Sequence, residues 1–342
     1  MEPFILLADT HLGSHSASDA WHEITLRLFK EVVDTAIYYD IKTILHLGDF
    51  FDNRKNINVK TLYYTLEIAK LLEENNLHLK IVRGNHDTFY KDSNEVHILQ
   101  PLFENRNNIS IISTEPTAWN NFLLLPWGID LPEHSNCKYC AGHLEITGFH
   151  MNNNFICENG DIATNDLSQF NKVYSGHFHT PSERENIKYI GSPYHLSFND
   201  VNSGPRGYYI IDEDREEFIE NKSAPKYIHI FSEDEFTKEK IHGNIVKIIF
   251  TKELSTNEIN EIVNEAMSFG PQQIVTDYEA IFKNGETSDE ETNEEGEEPH
   301  EYISTKSNEQ ILYEYIEKLD LPEHITSKKL ISFANMLVNE DS

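Results

Sequence analysis

Short apolar runs punctuate the first half of the chain, and each is closed by a polar turn. They are FILLAD at residues 4–9, TILHLGD at 43–49, LKIVRGNHD at 79–87, ISII at 109–112, FLLLP at 122–126, YCAGH at 139–143 and KVYSGH at 172–177. Runs this short and this continuously apolar predict strands buried on both faces. Between the first two, Trp21, Ile24, Leu28 and Val32 recur every three or four positions, the stripe of an amphipathic helix. Leu62, Leu66, Ala69 and Leu72 predict a second helix over 60–75. Strand and helix patterns alternate, so the expected fold is α/β with a parallel or mixed sheet.

Beyond about residue 185 the pattern turns to strands and turns: KYIGSP, GYYIID, EEFIEN and KYIHIF. A strand at 245–250 and a helix around 257–268 follow, which together read as a small accessory α+β unit. From Glu286 to Glu301 there are nine acidic residues and no Lys or Arg. Such a stretch has nothing to bury and predicts a disordered linker. After it, Ile311, Leu312, Tyr315, Ile316 and Leu319 predict one short amphipathic helix, and Leu330, Ile331, Ala334 and Leu337 a second, broken from the first at Leu321–Pro322. Two such helices beyond a tether cannot bury both apolar faces alone and need a surface to dock on. The expected organisation is a domain over 1–222, a capping unit over 223–283, the linker over 284–305 and a helical segment over 306–342.

Charge changes this picture. The chain has 342 residues, with 28 Lys and Arg against 58 Asp and Glu, a net charge of −30. A field of that sign repels phosphate, so any nucleic-acid contact needs a local basic strip, metal ions or a basic partner. No window approaches the roughly 18 apolar residues of a membrane span, and the expectation is a soluble, cytoplasmic protein. Cys137, Cys140 and Cys157 suit a reducing compartment better than a disulfide framework. Their single CxxC has no second pair to complete a tetrahedral zinc site.

Five of the apolar runs end in residues that can bind metal. The first delivers Asp9 and His11, the second Asp49 and Asp52, and the third Asn85, His86 and Asp87. YCAGH delivers His143, and KVYSGHFH delivers His177 and His179; His150 is a rival to His143. In an α/β sheet ligands gather at the carboxyl ends of the strands, so residues spread over the first 180 positions would meet at one edge. Any one of them alone reads as a turn or cap residue. Five in register read as a site. Mixed carboxylate, imidazole and amide donors suit Mn²⁺, Fe²⁺ or Zn²⁺, and one bridging carboxylate can hold two ions for phosphoester hydrolysis. There is no G-x-x-x-x-G-K-[ST] and no H-E-x-x-H, which sets aside a P-loop ATPase and a zinc protease. Arg54 and Lys55, directly after GDFFDN's carboxylates, are candidate contacts to a nucleic-acid backbone and equally candidates for an ordinary solvated surface.

The spacings D-x-H, G-D-x-x-D, G-N-H-D, G-H and G-H-x-H resemble those of the calcineurin-like metallophosphoesterase superfamily. AGHLEITG, SGHFHTP and YIGSPYHLSFND are similar to the nuclease subunits of SbcCD-type double-strand-break-processing complexes, and GDFFDNRK with the acidic tail to those of T-even-type phages. The motifs span about residues 4–200. The resemblance implies a two-sheet sandwich flanked by helices. It implies that Asp9, His11 and His179 hold one metal, that Asn85, His143 and His177 hold the other, and that Asp49 bridges them. His86 would act on the leaving oxygen or the scissile phosphate, with Asp87 bonded to His86 as its orienter; the role of Asp52, where some relatives carry His, stays open. The activity implied is a Mn²⁺-dependent DNA nuclease (Mg²⁺ being the alternative), a 3′→5′ exonuclease on duplex ends and an endonuclease on single strands. The implied partners are a coiled-coil ABC-type ATPase, docked on the C-terminal helices, and a second copy joined through helices at about 60–75 and 94–104. A phosphatase or small-molecule phosphodiesterase, or a non-catalytic scaffold, are the competing readings.

Overall fold

A computed structural model describes residues 1–90, 94–151 and 155–278. The linker and the C-terminal helices expected from the sequence lie outside the described residues.

Three sheets account for the strands among the described residues. The first has the order β12 (Glu216–Glu220), β11 (Gly207–Ile211), β1 (Phe4–Leu7), β2 (Thr43–His46), β3 (His78–Val82), β4 (Ile109–Ile112). Strands β1 to β4 run parallel, and β11 and β12 close one edge antiparallel. The second sheet has the order β5 (Thr117–Trp119), β6 (Phe122–Leu125), β7 (Tyr139–His143), β8 (Lys172–Gly176), β10 (Ile187–Tyr189), β9 (Ser182–Arg184). Its central strands β6, β7, β8 and β10 are parallel.

The apolar runs explain why the sheets stack. Side chains alternate across a strand, so every second residue of β1 faces each way. Phe4 and Leu6 join Leu45, Val82, Phe122, Leu124, Ala141 and Tyr174 in a core between the two sheets. Ile5 and Leu7 face the other way, into a core with helix α1 (Asp19–Tyr38) and helix α2 (Val59–Glu74). Trp21, Ile24, Leu28 and Val32 are all buried there, as their spacing predicts. Leu125, Cys140, Leu144, Phe170 and Val173 form a third core on the outer face of the second sheet, and both Cys140 and Cys157 are free thiols within it. The fold is thus a sandwich of two mixed six-stranded sheets with flanking helices.

A third, all-parallel sheet of β13 (Tyr227–Phe231), β14 (Ile245–Ile249) and β15 (Gln273–Asp277) follows. Its helix α4 (Thr256–Ser268) opens on a capping box between Ser255 and Glu258, as a sequence S-x-x-E predicts. Tyr227 and Ile245 reach the core around α1. The segment 94–104 departs from the helix expected there. Only Leu99–Phe103 (α3) is helical, because His97 bridges to Thr88 and Ile98 N–H donates to Asp87 O, tying the approach to the turn after β3.

Leu79, on central β3, is fully buried, whereas Leu66 on α2 is 41% exposed. Leu79→Ala is expected to lower unfolding free energy by about 2–5 kcal/mol, and Leu66→Ala to stay within about 0.5 kcal/mol, both read from urea denaturation.

Candidate metal centre

The carboxyl ends of β1, β2 and β3 in one sheet, and of β7 and β8 in the other, point to the same edge of the sandwich. Asp9 and His11 follow β1; Asp49 and Asp52 follow β2; Asn85, His86 and Asp87 follow β3. His143 is the last residue of β7, and His177 and His179 follow β8. Backbone strain concentrates at this edge. Asp9 (φ 54°), His11 (φ 41°), Asp49 (φ 54°) and His177 (φ 89°) all sit in left-handed backbone, which non-glycine residues rarely occupy without a compensating constraint.

Two glycines make the convergence sterically feasible. A Cβ on Gly84 would lie 2.2 Å from Asp49 Oδ1, and one on Gly48 would lie 2.5 Å from His143 Nδ1. The Gly of G-D and the Gly of G-N-H-D are therefore spaces filled by the side chains of the site.

The polar contacts orient each donor. Asp49 Oδ1 accepts from His86 N–H at 2.8 Å. Its Oδ2 is turned inward, 3.3 Å from His143 Nε2 and 3.8 Å from His11 Nε2. Asn85 Oδ1 lies 2.8 Å from His143 Nε2 and 3.2 Å from His177 Nδ1. His11 Nε2 faces His179 Nε2 at 3.0 Å. His177 N–H donates to Asp9 Oδ1 at 3.0 Å. His143 donates Nδ1–H to Leu47 O at 2.7 Å, and His86 donates Nδ1–H to Asp52 O at 2.7 Å, because a carbonyl can only accept. His143 therefore turns Nε2 to the site. Among the described residues, three sets have donor atoms that lie within 4.8 Å of one another inside each set: Asp9, His11 and His179; Asp49, His143 and His177; and His11, Asp52 and His86.

The electrostatics of the set are unbalanced without a cation. Burial, reinforced by Asp49, pushes the Asp9 carboxyl up to about 7, although His143 and His11 pull against it. Burial also opposes the charge of Asp49, but His143, His86 and His11 around it hold its pKa well below the usual carboxylate range. Burial drives His177 down to about 3 and His179 well below the ordinary imidazole value. Burial works against charged His11 and His143 too, yet the carboxylates around them raise both to about 9. Neutral imidazole lone pairs beside buried carboxylates, with two ring nitrogens facing each other, make a donor set that fits divalent cations and leaves few alternatives for satisfying it.

One expected role is corrected by the geometry. Asp87 is fully buried, and its carboxylate accepts backbone N–H bonds from Asp49 (3.0 Å), Gly84 (2.9 Å) and Phe51 (3.1 Å). Both oxygens are thus engaged by the turns, and the orienter of His86 is the Asp52 carbonyl in place of Asp87. His143 lies in the cluster, while His150 is exposed and bridges to Ile156. Arg54 and Lys55 sit in the next turn, where Asn53 Oδ1 accepts from Lys55 N–H and Asn56 N–H.

Trp127 and Arg206 lie outside the motifs and Arg83 inside one, and sequence reasoning misses the supporting role of all three. Trp127 lies over His177, with ring centroids 4.7 Å apart. Arg83, fully buried, donates to Trp127 O, and Trp127 N–H donates back to Arg83 O. Arg206 donates to His179 O and pairs with Asp200 at 2.7 Å, joining the GSPYHLSFND segment to the β8 turn. The sequence signal for the last pair is slight: a lone arginine ahead of an apolar strand.

Residues 2–231 match the calcineurin-like phosphoesterase family, and the chain belongs to it. It is accordingly a metal-dependent phosphoesterase. Among characterised proteins it is similar to exonuclease subunit 1 of Enterobacteria phage T4, 28% identical over an alignment covering 98% of each chain. It is also similar to the DNA double-strand break repair protein Mre11 of Archaeoglobus fulgidus, 27% identical over 29% of this chain and 22% of that one. The Mre11 protein of Saccharolobus solfataricus is 32% identical over 26% of this chain and 23% of that one.

Asp87→Asn turns an amide NH₂ toward backbone N–H groups that need an acceptor. It is expected to cost about 1–3 kcal/mol in urea denaturation and to weaken any thermal stabilisation by added divalent cations, since the turns carrying Asp49 and Asn85 lose their common tie.

Proposed function

We propose that the chain is a Mn²⁺-dependent DNA nuclease that shortens duplex ends 3′→5′ and cuts single strands, working in recombination and repair in the cytoplasm. The observation that carries the substrate is the alignment with exonuclease subunit 1, which runs through 98% of both chains and so includes everything beyond the phosphoesterase core. The break-repair relatives, aligned over 29% and 26% of this chain, are consistent with it.

In this reading Asp9, His11 and His179 hold one ion, Asn85, His143 and His177 hold the second, and Asp49 serves both. The inward position of Asp49 Oδ2, near a histidine of each set, supports the shared role. Bound ions supply the positive charge that activates water and offsets charge on the phosphoryl oxygens. The chain's own groups do the rest. His86, pinned through Nδ1, would in its protonated form present Nε2–H to the leaving 3′ oxygen or to the scissile phosphate. Asp87 keeps the His86 turn in register with Asp49 through the amides it accepts. Arg54 and Lys55, beside the mouth of the site, touch the DNA backbone.

Partners follow from charge and from unpaired apolar surface. A chain at −30 acting on DNA works beside an ABC-type coiled-coil ATPase, docked on the segment 306–342, whose sequence pattern predicts amphipathic helices. Val59, Tyr63 and Leu66 of α2 are 83%, 57% and 41% exposed, and they supply a face for a second copy. No helix among the described residues is long and apolar enough to cross a membrane.

Cleavage of an end-labelled linear duplex tests the reading. Mn²⁺-dependent shortening from 3′ ends is expected from the purified chain and absent in Asp49→Ala. His86→Gln is expected to lose about 10²- to 10⁴-fold in rate while still binding Mn²⁺. Hydrolysis of a small phosphomonoester with no action on DNA would overturn the nuclease reading.

A further inference from the structure

His143 is held by the nitrogen that faces away from the cluster: Nδ1–H donates to Leu47 O, and Nε2 is left facing Asp49 and Asn85. His11 poses the same geometric problem with a different solution. Its Nε2 is the nitrogen aimed inward, 3.0 Å from His179 Nε2 and 3.8 Å from Asp49 Oδ2. Its Nδ1 is buried and makes no well-aligned hydrogen bond among the described residues. The group standing against that nitrogen is the Asp52 carboxylate, with Oδ1 3.4 Å away. A neutral imidazole that offers the Nε2 lone pair must carry its proton on Nδ1, and a buried N–H needs an acceptor.

We propose that Asp52 is a positioning residue: its carboxylate accepts the Nδ1–H of His11 and so holds His11 with Nε2 presented to an ion. The inference rests on the two-ion reading above. Main chain and side chain of this residue then act on different rings, since the Asp52 carbonyl already fixes His86 through Nδ1 at 2.7 Å. The two imidazoles meet edge to face with centroids 4.9 Å apart, so a tilt in one is transmitted to the other. A carboxylate behind a histidine also makes the ring a stronger donor than a carbonyl does. The side chain of Asp52 is 39% exposed, so shortening it opens no core cavity, and every substitution leaves the carbonyl that holds His86 in place.

The rival use of the same atoms is direct: His11, Asp52 and His86 also group closely enough to hold an ion of their own. Titration of Mn²⁺ into the full-length chain, followed by loss of the free-ion electron paramagnetic resonance signal, separates the two. Wild type is expected to bind two ions. Asp52→Ala is expected to keep one at wild-type affinity and to bind the other about 10- to 100-fold more weakly, with the metal-free melting temperature unchanged. Asp52→Asn keeps an acceptor oxygen and the side-chain volume, and its weakened site is expected to lie between the two. Both sites at wild-type affinity in Asp52→Ala would overturn the inference. Three ions in wild type falling to two in Asp52→Ala would overturn it as well, making Asp52 a ligand. Fewer than two ions in wild type would defeat the two-ion reading itself and take this inference with it.

Discussion

Two buried carboxylates hold the catalytic edge together by exchanging backbone amides. Asp87 accepts N–H bonds from the Asp49 turn and from its own, while Asp49 accepts the N–H of His86. Turns after neighbouring strands are thereby fixed to each other before any ligand is considered. Burial and the neighbouring Asp49 raise the Asp87 carboxyl to about 6, while the amides it accepts and the nearby His143 pull the other way, so the clamp is costly to charge and depends on those hydrogen bonds. Everything else at the site hangs from it: the left-handed backbone at Asp49, the tight fit at Gly84, and the direction of the His86 ring.

The sandwich architecture supplies the other half of the constraint. Parallel strands in both sheets bring their carboxyl ends to one edge, so donors from β1, β2 and β3 meet donors from β7 and β8 across the core between the sheets. Neither sheet alone carries a complete set. The apolar core is therefore part of the site in an energetic sense: it holds carboxylates and imidazoles together out of water, where burial opposes their charges. Burial makes each unpaired charge expensive, and this is what gives such a set its affinity for cations.

Much of this was legible in the chain. Strands buried on both faces leave unbroken apolar runs, and a polar residue closing such a run can only lie at a strand end, which is why Asp9, Asp49, Asn85, His143 and His177 stood out together. The stripe Trp21–Ile24–Leu28–Val32 located α1 for the same periodic reason. What failed was local pairing. Nothing in GNHD tells which atom orients His86, because the Asp52 carbonyl is a main-chain group that any residue at that position would supply. Trp127 and Arg206 act across long chain separations through backbone carbonyls, which leave no pattern in the sequence. The edge strands β5 and β9, three residues each and largely exposed, lack the apolar runs that marked the others.

The central claim is that one buried cluster holds two divalent ions on either side of Asp49. Anomalous diffraction from crystals grown with Mn²⁺ tests it most directly. The account predicts two peaks about 3.5–4 Å apart, one against Asp9, His11 and His179 and the other against Asn85, His143 and His177. A single peak, or peaks away from Asp49, would contradict it.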